Sequence, residues 1–233
     1  MNQMTARINI AIDGPAGAGK STVARMVARD LGYIYVDTGA MYRAVTLKAL
    51  EAGLSTEDDA AVGKLARELD IALLPGKDGQ QVIVNGTDVS QQIRTLDINR
   101  NVSYIARLES VRKQMAELQR RMALAKGVVM DGRDIGTHVL PDAELKVFLT
   151  ATPRERAIRR FKELGDEPGI TLDQLEREIA ERDRLDQERE IAPLLQAPDA
   201  RLIDSTGRTI DEVAEQIVQW GLAIARTIST EEK

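Results

Sequence analysis

The 233-residue chain predicts an α/β fold in which a five-stranded parallel sheet, flanked by helices, carries a β-rich insert and a short lid. Three observations carry that reading. Five short segments are apolar almost without interruption, as expected of strands covered on both faces, and helical periodicity lies between them. A glycine-rich loop joins the first of these strands to a helix. Two stretches break the alternation, one rich in turn dipeptides and the other in arginine.

The first strand is INIAID (Ile8 to Asp13). It runs into GPAGAGKST and then TVARMVARDLG, where Val23, Met26, Val27 and Leu31 recur at helical spacing and Gly32 supplies a stop. YIYVD (Tyr33 to Asp37) reads as a second strand and MYRAVTLKALEAG as a helix closed by Gly53. VVMD (Val128 to Asp131), LKVFLTA (Leu145 to Ala151) and RLIDST (Arg201 to Thr206) repeat the buried-strand character. From Ile71 to Val89 the dipeptides Pro75-Gly76, Asp78-Gly79 and Asn85-Gly86 punctuate β-rich pieces, which predicts a small antiparallel insert. From Pro153 to Pro193 charge dominates, and ELGDEPGIT (Glu163 to Thr171) interrupts two helical stretches, a pattern read as a lid.

Composition narrows the function classes. With 32 Lys+Arg against 37 Asp+Glu the net charge is −5, and aromatic residues make up 3% of the chain. The basic footprint and stacking rings of a dedicated nucleic-acid binder are therefore missing. There is no cysteine and one histidine, His138, which excludes disulfide scaffolds, thiolate nucleophiles and zinc clusters. No apolar run reaches the roughly 18 residues that span a bilayer, and the opening MNQMTARINI lacks a signal peptide's apolar core. A cytoplasmic protein with neither nucleic-acid nor membrane partners is expected. His138, Trp220 and the methionines Met26, Met115 and Met122 read as surface or packing residues.

Gly14-Pro15-Ala16-Gly17-Ala18-Gly19-Lys20-Ser21 satisfies G-x-x-x-x-G-K-[ST] between a predicted strand and a predicted helix, the context this phosphate-binding loop requires. Glycines let backbone N–H groups approach a polyphosphate, and the helix N-terminus adds donors and a positive dipole end. Lys20 is expected to bridge the β- and γ-phosphates of ATP, and the Ser21 hydroxyl to take one position on Mg²⁺. A glycine-rich turn that only caps a helix is the alternative. No N-K-x-D guanine-reading element is present, and an ATP-driven motor is usually larger and partnered, so a kinase for a small acceptor fits best.

Asp37-Thr38-Gly39-Ala40-Met41-Tyr42-Arg43 and Gly132-Arg133-Asp134-Ile135-Gly136-Thr137 each follow a predicted strand, and so fall on the carboxyl edge where open α/β sheets bind ligands. Asp131 closes its strand as a carboxylate able to orient Mg²⁺, directly or through water; a purely structural role is the alternative. In the helix Leu172 to Glu188, Arg182, Asp186 and the following Arg189 are spaced to lie along one face. Alone, this would read as a solvated, salt-bridged face. Beside a phosphate donor site it offers forked positive charge for two phosphates brought together.

These blocks, GPAGAGK, DTGAMYR, DGRDIGT and ERDRLDQEREIAPL, in this order and spacing, resemble the bacterial cytidylate kinases, nucleoside monophosphate kinases with a P-loop core. The resemblance covers nearly the whole chain and implies phosphoryl transfer from ATP·Mg²⁺ to CMP or dCMP. It implies a nucleotide-binding core of residues 1–40, 105–155 and 190–233, an NMP-binding region at 41–104 and a lid at 156–189. ATP would be held by Gly14 to Thr22 (Gly14, Pro15, Ala16, Gly17, Ala18, Gly19, Lys20, Ser21, Thr22), with Arg159 against the adenine. The acceptor phosphate would lie among Arg43, Arg133 and Arg189. Ser103, Arg112 and Asp134 would read cytosine with Thr38 and Tyr42 close by, and Arg182 and Asp186 would hold the ribose. Lys20, Arg133, Arg182 and Arg189 would carry catalysis. Ser21 and Thr38 stand where some relatives have Gly and Ser.

The base assignment has a physical rationale. Cytosine offers an amino donor where uracil offers a carbonyl, so a carboxylate such as Asp134 rewards the first, and an unpaired buried group costs roughly 1–3 kcal/mol with the second. The acceptor phosphate is already anionic, so no strong general base is needed and His138 is not required. Two other readings remain open on the sequence: a kinase for UMP or a non-nucleotide alcohol, and a nucleotide-sensing module. A monomer is expected from the self-contained site.

Overall fold

The computed structural model describes residues 6–76, 79–165 and 170–231, in two compact units: 1–35 with 125–233, and 36–124. The opening residues 1–5, the Lys77-Asp78 part of the anticipated turn and residues 166–169 of the anticipated interruption lie outside the described residues.

The first unit is built on the buried strands β1 (Asn9–Asp13), β6 (Val128–Gly132) and β7 (Leu145–Thr150), with β2 (Ile34–Asp37), along which the chain passes into the second unit, at one edge and β8 (Arg201–Asp204) at the other; in β8 only Ile203 is buried, so RLIDST is an edge strand and not the buried one anticipated. The sheet order is β2-β6-β1-β7-β8, and β1 runs parallel to both β6 and β7. Helices α1 (Lys20–Leu31), α6 (Pro153–Leu164), α7 (Leu172–Gln187) and α8 (Ile210–Glu231) complete it. Ile8, Ile10 and Ile12 pack with Val23 and Val27 of α1, Val147 and Leu149 of β7, and Val213 and Ile217 of α8. Trp220 packs against this cluster, and the Arg201 guanidinium stacks 4.6 Å from its ring centroid. Ala157, Leu175 and Ile179 join α6 to α7 in a small core of their own.

The second unit contains α2 (Thr38–Glu51), α3 (Asp59–Glu68), α4 (Leu96–Ile105), α5 (Glu109–Ala123) and the antiparallel sheet β3 (Ile71–Gly76), β4 (Gly79–Val84), β5 (Thr87–Asp88). Asn85 and Gly86 both have positive φ, 50° and 80°, so the Asn-Gly dipeptide turns β4 into β5 as anticipated. Pro75-Gly76, read as a turn, instead ends strand β3, where the proline sits on a strand that pairs only with β4. Met41, Val45, Val62, Val84, Ile93, Ile105, Val111 and Met115 form the core of this unit.

No helix among the described residues is long and apolar enough to cross a membrane.

Candidate active site

The loop between β1 and α1 owes its path to glycine. Gly14 has φ 149°, and a Cβ there would fall 1.9 Å from the Leu149 carbonyl oxygen of β7, so only glycine lets the chain turn this close to the neighbouring strand. Gly19 caps α1 in the left-handed region at φ 87°. Lys20, the first residue of α1, is 5% exposed, and its ammonium donates to the Pro15 carbonyl at 2.7 Å. Burial, and then the charges of Arg133 and Arg182, push the Lys20 ammonium well below its usual pKa, against the opposing pull of Asp131 and Asp13. A polyanion in the loop would supply the negative charge that this environment lacks.

The Ser21 hydroxyl donates to one Asp131 carboxylate oxygen at 2.8 Å, and Tyr35 donates to the other at 2.9 Å. Tyr35 was not singled out in the sequence, where it is one more apolar residue in a strand. A hydroxyl and a carboxylate form a hard-oxygen set of the kind Mg²⁺ takes beside substrate phosphates. Among the described residues, no group of three or more His, Cys, Asp or Glu side chains is placed to hold a metal by itself.

Strand β6 delivers Arg133 and Asp134 just beyond its carboxyl end, where Ile135–Val139 form a single π-type turn. Arg133 donates from Nε to Asp186 Oδ2 at 2.8 Å and from Nη1 to its neighbour's carbonyl, Gly132 O, at 3.1 Å. Arg189 donates to the other Asp186 oxygen. Asp186, on α7, is 1% exposed; burial would raise its pKa, but the charges of Arg133, Arg189 and Arg182 together hold the carboxyl below its usual value. Of the expected face, Asp186 and Arg189 are buried and form a cluster with the half-buried Arg133 from the end of β6. His138 is exposed on the π-type turn.

The structure adds a buried arginine absent from the sequence reading. Arg156 of α6 donates from Nε to the Ala151 carbonyl at 2.9 Å and from Nη1 to the Ala16 carbonyl of the loop at 2.9 Å. It also grips both Asp183 oxygens, at 3.1 and 2.5 Å. Neighbouring Arg159 donates to the Ser205 carbonyl at 2.7 Å and to its hydroxyl at 3.0 Å, next to the loop residue Ala18.

In the second unit, Asp37 caps α2 by accepting from the Ala40 N–H at 2.8 Å and pairs with Arg43 at 3.1 Å; Gln80 of β4 accepts the Asp37 N–H at 3.0 Å. Arg43 Nε is buried with no hydrogen-bond partner among the described residues. Thr38, Tyr42 and Ser103 are buried. Arg112 is not the exposed helix charge that its local sequence suggests. It is 2% exposed, donates to the Ala106 carbonyl at 3.1 Å and stacks 5.7 Å from the Tyr42 ring centroid.

A family model described as cytidylate kinase matches residues 10–221. The chain is 52% identical to a cytidylate kinase of Ligilactobacillus salivarius, over 92% of this chain and 96% of that protein. It is 53% identical to a cytidylate kinase of Desulforamulus reducens, over 93% and 98%. Among solved structures, an uncharacterized protein from Eubacterium ventriosum shares the fold, with a TM-score of 0.50 at 13% identity over 92% of this chain and 98% of that one. The chain belongs to the cytidylate kinase family, and its function is that of a nucleoside monophosphate kinase, a phosphotransferase.

Proposed function

We propose that this chain transfers the γ-phosphoryl group of ATP, in line, onto the phosphate of CMP or dCMP, giving ADP and CDP or dCDP. The observation that carries the reading is a Lys20 buried at the start of α1, its ammonium turned back onto the Pro15 carbonyl of the glycine-rich loop, in a chain where Asp186 grips Arg133 and Arg189. Fixed cations crowded this closely, two of them held by Asp186, suit phosphoryl oxygens whose charge is spread in the transition state.

In this reading Gly14 to Thr22 wrap the ATP phosphates and Arg159 lies against the adenine. Arg43, Arg133 and Arg189 bind the acceptor phosphate, Arg182 and Asp186 the ribose, and Ser103, Arg112 and Asp134 the cytosine, with Thr38 and Tyr42 alongside. Ser21 and Asp131 would hold Mg²⁺, which when bound neutralises charge on the β- and γ-phosphates. Residues 41–104 serve as the NMP-binding region and 156–189 as a lid that excludes water and limits hydrolysis of ATP, on a core of 1–40, 105–155 and 190–233, of which 36–40 and 105–124 belong to the second compact unit. The acceptor oxygen is already anionic, so the side chains position and stabilise charge, and His138 stays outside the chemistry. The acidic net charge and the absence of cysteine support a cytoplasmic enzyme. We read it as a monomer.

A panel of acceptors offered with ATP tests reaction class and base choice together. CMP and dCMP should be phosphorylated well ahead of UMP, and an equal rate with UMP would remove the roles given to Asp134 and Arg112. Tight ATP binding without acceptor-dependent ADP release would instead favour a sensing module.

A further inference from the structure

Asp13, the last residue of β1, is buried and has no part in the chemistry above. Its Oδ1 accepts the Ile135 N–H at 2.8 Å and its Oδ2 the Gly136 N–H at 2.7 Å. These amides open the π-type turn, whose own main-chain bonds begin only at His138 and Val139, both donating to the Asp134 carbonyl. The first N–H groups of any helical turn have no partner within it, and here one carboxylate takes two of them. The residues immediately before this clamp are Arg133 and Asp134.

We propose that Asp13 is a positioning residue: by bridging two adjacent amides it fixes the Arg133-Asp134 dipeptide, and so governs acceptor binding and base choice rather than donor binding. The inference rests on the acceptor-side reading of Arg133 and Asp134. Its surroundings agree with that role. Burial raises the Asp13 carboxyl to about 7, while the Gly136 and Ile135 amides and then the Lys20 charge favour ionisation and the Asp134 charge opposes it. From β7, the Lys146 side chain borders Gly136 on the same side as the Asp13 carboxylate. Two charge-assisted bonds to main chain hold a turn more firmly than a neutral side chain would.

The test compares Asp13→Asn with the parent protein. The amide keeps the size and one acceptor but turns an NH₂ toward a backbone N–H. We expect kcat/KM for CMP to fall about 10- to 100-fold and the preference for CMP over UMP to shrink, while the Kd for ATP moves less than about threefold. Equal losses for both nucleotides, or an unchanged preference, would overturn the inference. If Asp13→Asn does not fold, Gly136→Ala serves. Its added methyl would stand 3.1 Å from Lys146 Cδ and 3.3 Å from Lys146 Cγ, crowding the side chain that borders the clamp while touching Asp13 Oδ2 at 3.4 Å, and should give the same split between CMP and ATP. No split there overturns the inference as well. Asp134→Asn, measured alongside, separates the two ideas. If it leaves the base preference whole, the reading of Asp134 fails and takes the base-choice half of the inference with it. If it abolishes the preference while Asp13→Asn preserves it, the role of Asp13 alone fails.

Discussion

Burial and neighbouring guanidiniums both disfavour a positive charge on Lys20. A lysine there makes sense if substrate phosphates offset that effect. Lys20→Ala should lower kcat by about 10²–10³-fold or more, while the Tm in the absence of nucleotide holds or rises. CDP formation and thermal melting check the two halves. Two buried carboxylates should respond to pH with opposite sign. Asp13 is raised in the folded state to about 7, so ionising it costs the fold stability as pH climbs from about 4 through 7. Asp186 is lowered, because its three arginines outweigh burial, so its contribution is complete above the ordinary carboxylate range and fades only as pH falls through its depressed value. Melting at about pH 5 and pH 8 should therefore show Asp13→Asn gaining on the parent protein as pH rises, with the Asp186→Asn deficit staying level over that window. The reverse trend at position 13 would contradict the assigned shift. The charged groups around Asp13 are Asp134 and Lys20, with Lys146 of β7 beside Gly136.

At the scale of elements, Arg156 ties α6 to the end of β7, to the phosphate-binding loop and, through Asp183, to α7. Removing one partner of a buried pair leaves the other charge stranded, which costs roughly 3–5 kcal/mol. Arg156→Met should thus lower the Tm clearly and raise KM for ATP, and Asp183→Asn should do so less, since Arg156 keeps both carbonyl acceptors. A raised KM for CMP with ATP unaffected would show that the strut serves some other part of the site. Such ties explain the limits of sequence reading. The loop, its flanking strand and α1 were legible because each is encoded within about 25 consecutive residues, by periodicity or by a motif with a mechanism. The Arg156–Ala16 bond joins residues 140 apart and the Asp13–Gly136 bond residues 123 apart, and no local pattern announces either. Arg112 was assigned only through resemblance. Its neighbours RLESVRKQM read as a solvated helix, and its burial comes from packing at Ala106 and Tyr42 that the local pattern does not encode.

For the whole molecule, two cores serve two sets of side chains: the loop, the Asp186 cluster and Arg159 in one unit, and Arg43, Ser103 and Arg112 in the other. A ligand present at 100 times its Kd stabilises the state it binds by about 2.7 kcal/mol, so each nucleotide should raise the Tm on its own. Arg112→Ala should cancel the rise produced by CMP and spare that produced by ATP, whereas Lys20→Ala should do the opposite; melting curves with each nucleotide decide it. Loss of both shifts in either variant would mean that the substitution damages the fold rather than a binding function. The packing of Trp220 matters here for a practical reason. It is the chain's one tryptophan, and it belongs to the unit built on β1. Emission excited at the red edge of the indole band therefore comes from that half alone, while far-ultraviolet dichroism averages over all helices. Comparing the two signals during denaturation would reveal, without any attached dye, whether the halves melt together or in sequence.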